Sequence, residues 1–234
     1  MNITLLKAAQ RGLMQHQEFK GYPLFSNGAP GTGRPDGFGA VYVFNDDYLF
    51  PKSGLGMHPH ANVEIITVMV AGQESHEDNL GYHQILPAGA VQLISAGTGM
   101  QHAGGNMSDL EDSRHLQIWV APRRQHTKPA VQLYPAPLSA PANEWRCEVS
   151  PTGQQGSLII QQDVWLFQGQ FAPGTVRYTL QRPEHGVLIY VLAGEISLGN
   201  MSAGQEDTLF IADAPSIEIT VEKDAKLMLM ETIL

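Results

Sequence analysis

The stretch His58-Pro59-His60-Ala61-Asn62-Val63-Glu64-Ile65-Ile66-Thr67-Val68-Met69-Val70-Ala71-Gly72 decides how this chain is read. Residues 65–70 form an apolar, β-branched run of strand length, and Gly72 ends it with a residue suited to a turn. In extended backbone, positions i and i+2 share a face, so His58 and His60 present two imidazoles together. Pro59 has no N–H for a ladder, which puts the pair on an edge strand or at a strand entrance. Glu64 lies four residues after His60. Its parity is the same, so it faces the same way if the strand stays regular.

The same pattern recurs outward from this stretch. Val41-Tyr42-Val43-Phe44 and residues 91–94, 116–120, 188–192 and 227–230 are further short apolar runs bounded by turn residues. The 24 glycines and 15 prolines punctuate the chain often enough for many short strands. The expectation is an all-β protein with little helix, the first ten residues alone reading as weakly helical. Two segments match each other. Val68-Met69-Val70-Ala71-Gly72 parallels Tyr190-Val191-Leu192-Ala193-Gly194, and Ala88-Gly89 parallels Ala203-Gly204 at nearly the same distance downstream. Strand, glycine turn and strand repeated in this order predict a duplicated barrel. Pro129, Pro135, Pro137 and Pro141 mark 129–146 as a linker, because proline resists both helix and central strand. The expected halves are 1–128 and 147–234.

A second histidine signal follows the run at 91–94. Gly97-Thr98-Gly99-Met100-Gln101-His102-Ala103-Gly104-Gly105-Asn106 is a glycine-rich turn whose neighbouring strand can bring His102 beside His58 and His60. Among nine histidines a His-x-His pair also arises by chance. The surrounding order is more specific. His58-Pro59-His60, three residues, Glu64 and then Gly72 resembles the first motif of the cupins. Gly89, five residues, Ser95-Ala96-Gly97, four residues, His102, three residues and Asn106 resembles the second, with Ser95 for a proline and a gap longer by two. Further words fall in sequence: Gly37-Phe38-Gly39-Ala40, Asn45-Asp46-Asp47, Gly56-Met57, Glu64-Ile65-Ile66-Thr67, His76-Glu77-Asp78, Ser95-Ala96-Gly97-Thr98-Gly99 and Leu116-Gln117-Ile118-Trp119. This series resembles the pirin family from about Arg11 to Val120, and more weakly to the C-terminus.

That resemblance implies two tandem cupin β-barrels, a bicupin. It implies one divalent transition metal in the N-terminal barrel, held by His58, His60 and His102. Iron comes first, with Mn, Ni, Co, Cu or Zn as alternatives. The family's fourth ligand, a Glu two residues after the last His, is Gly104 here. Three neutral imidazoles still bind a divalent ion, more weakly and with a preference for the ferrous over the ferric state. Three outcomes stand open: Glu64 turns to the metal and serves as ligand and catalytic base, water fills the position, or the metal is lost. In the second half, alignment of the glycine turns puts Leu180 and Arg182 where His58 and His60 stand, with His185 at opposite parity, so this barrel is expected to lack metal. His76, His83 and His115 read either as pocket residues orienting a ligand or as surface residues. Asp46 and Asp47 read as a turn.

Composition removes other classes. The formal net charge of -9 and the lack of a basic stripe argue against nucleic acid or anionic membranes as partners. The one cysteine, Cys147, excludes an intrachain disulfide and cysteine-ligated zinc. Met1 to Gly12 lacks a secretory pattern, and no run approaches the roughly 20 apolar residues of a membrane span, so the cytoplasm is expected. The resemblance leaves two functions in competition. One is a quercetin 2,3-dioxygenase-type oxidoreductase that opens a flavonol. The other is a non-enzymatic binding or regulatory protein with an unidentified protein partner. A cupin of unrelated chemistry, such as a small-molecule isomerase, ranks last.

Overall fold

A computed structural model describes residues 1–136 and 142–234. Pro137 and Pro141 of the expected linker lie outside the described residues. In the first half the strands are β1 (Asn2–Leu6), β2 (Met14–Gln15), β3 (Phe19–Pro23), β4 (Val41–Leu49), β5 (Gly54–His60) and β6 (Glu64–Ala71). They continue as β7 (Gln73–Asp78), β8 (His83–Pro87), β9 (Val91–Ser95), β10 (Met100–Asn106), β11 (Ser113–Val120) and β12 (Ala130–Tyr134). The second half holds β13 (Arg146–Ser150), β14 (Leu158–Ile159), β15 (Val164–Phe171) and β16 (Gly174–Thr179). It ends with β17 (Gly186–Leu198), β18 (Met201–Gly204), β19 (Thr208–Ala212) and β20 (Ser216–Thr232). Short 3-10 turns at Ala8–Gln10 and Gln154–Gly156 are the helical segments among the described residues. None of them is long and apolar enough to cross a membrane.

The repeat read from the sequence corresponds to equivalent strands. A seven-stranded sheet runs β12-β9-β6-β11-β4-β3-β2, and the large sheet of the second half runs β1-β19-β17-β20-β15-β13-β14. β6 lies between β9 and β11 as β17 lies between β19 and β20. Gly72 and Gly194 both turn with positive φ, 75° and 89°, which glycine adopts without steric cost. A four-stranded sheet, β5-β10-β7-β8, closes over the first sheet. The chain is a bicupin.

The two large sheets share one core. Ile66, Val68, Leu116 and Ile118 pack with Leu166, Leu188, Tyr190 and Met228 between the halves. This explains why 65–70, Thr67 apart, is apolar rather than alternating: one face of β6 meets the shared core and the other faces the interior of the first barrel. The opposite face of the second sheet fills its own barrel with Trp165, Phe167, Tyr178, Ile189 and Leu229. In the first barrel Val63, Ile65, Ile94, Ala96 and Met100 form a smaller cluster with Trp119. The first barrel keeps an internal cavity beside this cluster.

Three segments depart from the sequence reading. The first residues form β1, not helix, because Ile3 and Leu5 pack in the second barrel's core while the strand pairs with β19. Tertiary pairing overrides a weak local preference there. β12 falls inside the expected linker and pairs with β9 at the sheet edge, a position proline-flanked sequence tolerates. Asp46 and Asp47 occupy the middle of β4 rather than a turn. Their side chains point to opposite faces, as strand geometry requires. Asp46 is fully buried between the halves. It accepts hydrogen bonds from Arg11 at 2.9 Å, from Arg114 at 2.8 Å twice, and from Tyr190 of β17 at 2.7 Å. Arg11 and Arg114 also pair with Glu206 of the second half.

Candidate metal centre

β5 is the edge strand of its sheet, as Pro59 requires, and β10 lies beside it with His102 directly opposite His58. This register gathers His58, His60 and His102, with one ring nitrogen of each within 4.8 Å of the others. The Nδ1 of His58 donates to the Gly56 carbonyl at 2.7 Å, which leaves Nε2 as the free lone pair. The His60 ring stands edge-on to Trp119, with centroids 5.1 Å apart. The Nε2 of His102 is buried and has no hydrogen-bond partner. Burial, then the charges of His58 and His60, push the His102 imidazole down to about 3. Burial and His58 likewise lower His60. Neutral imidazoles with free nitrogens converging on one point are the form that ligates a metal, and an orphaned buried nitrogen needs a partner. The donor set fits a divalent transition metal.

The structure does not bring Glu64 to this cluster, which corrects the expectation that it serves as fourth ligand or base. The parity count from His60 assumed one regular strand. β5 instead ends at His60, Asn62 turns with φ 53°, and Glu64 opens β6 in the other sheet. The corner reverses the face. Glu64 is 1% exposed, looks toward the second barrel, and accepts from Ser95 Oγ at 2.8 Å and from the Gln161 amide at 3.3 Å. Gly104 offers nothing in its place. The β5–β10 register shifts between His102 and Gly104, and a Cβ built on Gly104 would stand 2.5 Å from the Ser75 carbonyl oxygen.

The histidines open onto the hollow of the first barrel. Its apolar wall includes Phe19, Leu49, Leu55, Leu86 and Trp119. Its polar wall comes from the inward faces of β4, β6, β7, β9 and β11: Asn45 and Asp47, Thr67, Glu74 and His76, Gln92, His115 and Gln117. His76 is buried, donates to Asp78 through Nε2 at 2.9 Å, and its ring lies 5.4 Å from His102. His115 shares Glu74 with Ser113, whose hydroxyl donates at 2.7 Å, and lies 2.9 Å from Glu74 through Nδ1. His83 is on the surface, 74% exposed. Asp47, Glu74, Asn45 and Gln117 escaped the sequence reading. The available signal was the continuation of strand alternation from Val41 through Leu49, which puts Val43, Asn45, Asp47 and Leu49 on one face. In the second barrel His185 is buried, with its Nδ1 3.0 Å from Glu231.

The model of the pirin family matches residues 6–120, and that of the quercetinase C-terminal cupin domain matches residues 148–232. A quercetin 2,3-dioxygenase of Escherichia coli K12 is 30% identical over 229 residues, covering 98% of both chains.

The chain belongs to the pirin family.

A pirin-like protein of Caulobacter vibrioides is 32% identical over 196 residues, covering 83% of this chain and 84% of its own. Among solved structures, YhhW from Escherichia coli superposes with a TM-score of 0.91 at 29% identity, covering 99% of this chain and 97% of that one. The bacterial pirin YhhW in complex with nickel(II) superposes with a TM-score of 0.90, covering 99% of each chain.

Proposed function

We propose that this pirin is a metal-dependent oxidoreductase of the quercetin 2,3-dioxygenase type, acting on a flavonol-like phenol in the N-terminal cavity. His58, His60 and His102 hold one divalent transition metal, iron first, with manganese, nickel, cobalt, copper or zinc as alternatives. The observation that carries the reading is the convergence of three imidazoles, with the buried Nε2 of His102 lacking a partner. A bound ion supplies Lewis acidity, drawing charge from a phenolic hydroxyl. The protein's own residues do the rest. Trp119, Phe19 and Leu55 offer apolar area to a flat aromatic ring, and Gln117, Gln92 and Thr67 offer hydrogen bonds that orient it. The net charge of -9 disfavours polyanionic partners. With a single buried cysteine, Cys147, the protein suits a reducing cytoplasm.

Gly104 favours a second reading, a non-enzymatic binding or regulatory pirin whose metal site is weakened. The test is elemental analysis after anaerobic loading with each metal, with His58→Ala/His102→Ala as control, followed by exposure of quercetin to the loaded protein under air. About one ion per chain, lost in the variant, together with quercetin consumption, supports the enzyme. Retained metal with quercetin left intact favours the binding protein. No retained metal removes the three-histidine centre.

A further inference from the structure

Asp47 is the least satisfied carboxylate in the cavity wall. It is 8% exposed, and its Oδ1 is buried without a hydrogen-bond partner. Its Oδ2 lies 3.9 Å from His115 Nε2, beyond hydrogen-bond reach. The space for this carboxylate exists because β3 passes it with Gly21, where a Cβ would overlap Oδ1. A buried carboxylate oxygen without a donor is costly in a purely structural role and calls for an explanation. Glu74, the other buried carboxylate of the wall, already accepts from Ser113 and is paired with His115.

We propose that Asp47 is the proton acceptor of this cavity, taking the proton of a phenolic hydroxyl bound against the three histidines. The inference rests on the reading of the cavity as a phenol site. The substrate O–H bond breaks, its electron pair stays on the phenolic oxygen, and the proton forms an O–H bond on the Asp47 carboxylate. No oxidant is needed for this step. Asp47 thereby does the work that neither Gly104 nor Glu64 can do.

The surroundings suit that role. Burial pushes Asp47 up to about 6, while the His115 charge pulls it back. A base that titrates near the working pH is the effective kind. Burial would lower His115, but Glu74 and Asp47 override it and raise it to about 9, so an imidazolium faces Asp47 at neutral pH. The same imidazolium, with the Ser113 hydroxyl, holds Glu74 below the ordinary carboxylate range against its burial, which makes Glu74 the poorer base. Asn45 on its own strand stabilises the charge as a donor, Asp46 on the other face and Glu74 oppose it, and the histidines of β5 and β10 line the same cavity. His115 is a positioning residue: its charge keeps Asp47 ionised.

The test is equilibrium binding without turnover, under nitrogen, to metal-loaded protein. The probes are quercetin and quercetin methylated on its 3-hydroxyl. Wild type binds the hydroxyl form about tenfold or more tightly than the methyl ether at pH 8, as expected for a hydrogen bond to a buried charge. That preference fades as pH falls through about 6. Asp47→Asn, which keeps shape and removes the charge, binds both probes alike at every pH while retaining its metal. If that variant does not fold, His115→Gln carries the test, moving the midpoint of the preference to higher pH. A preference and pH dependence that survive Asp47→Asn overturn the role of Asp47 alone. A midpoint unmoved in His115→Gln overturns the His115–Asp47 coupling. Wild type that binds neither probe overturns the phenol reading of the cavity and this inference with it.

Discussion

At the scale of single residues, adjacent side chains on one strand do unrelated work because strand geometry sends them to opposite faces. Asp46 faces two arginines and a tyrosine between the barrels, and Asp47 faces the cavity. The cavity's charged groups make stability depend on pH in separable windows. Asp47 is raised in the folded state, so its contribution is present below about 3.8 and is lost as pH rises through about 6. His115 is also raised, from 6.5 to about 9, so its contribution is complete below about 6.5 and disappears as pH rises through about 9. We expect the unfolding free energy of wild type to fall by up to about 3 kcal/mol across that upper window. His115→Gln should flatten this slope, and denaturant melts at pH 6 and pH 10 check it. An equal slope in the variant would assign the alkaline loss to other groups.

At the scale of elements, the candidate metal centre depends on one edge strand, one register and one irregularity. Pro59 confines β5 to the edge, the β5–β10 pairing sets His102 opposite His58, and the shift after His102 turns position 104 toward a neighbouring backbone. Restoring the family's carboxylate by Gly104→Glu is therefore not a simple repair. Its Cβ meets the Ser75 carbonyl, so the β10–β7 pairing must shift, at a cost of about 1–3 kcal/mol. Thermal melts with metal titration check this. A variant that is both as stable as wild type and tighter for metal would mean that the bulge yields freely. Glu64 belongs to this scale too. Its direction is decided by the corner at residues 61–63, not by the strand periodicity on either side.

At the scale of the whole molecule, the halves are bound by a shared apolar core and by chain exchange. β1 joins the second barrel's sheet, and the Ile233 carbonyl accepts from Ala40 of the first half at 3.2 Å. The buried group of Arg11, Asp46, Arg114, Tyr190 and Glu206 spans the same interface. Removing the Asp46 charge leaves two largely buried guanidinium groups short of their shared partner. Asp46→Asn should therefore destabilise by about 3–5 kcal/mol, as breaking a buried pair does. Its three-histidine metal content should stay unchanged. Calorimetry and elemental analysis check the two halves of that prediction, and a stable Asp46→Asn would make the network dispensable.

Local periodicity and motif order determined much of this protein. The β-branched runs between glycine turns and the echo of Val68–Gly72 in Tyr190–Gly194 carried the all-β duplicated fold. The i, i+2 spacing at His58 and His60, with His102 after its glycine-rich turn, carried the candidate ligands, because strand alternation is a short-range rule. What crossed a corner or joined distant strands was decided only by tertiary structure. The face taken by Glu64, the insertion of β1 into the far barrel and the meeting of Asp47 with His115 each depend on long-range pairing. So does the cavity of the first barrel, since its lining is gathered from strands far apart in sequence.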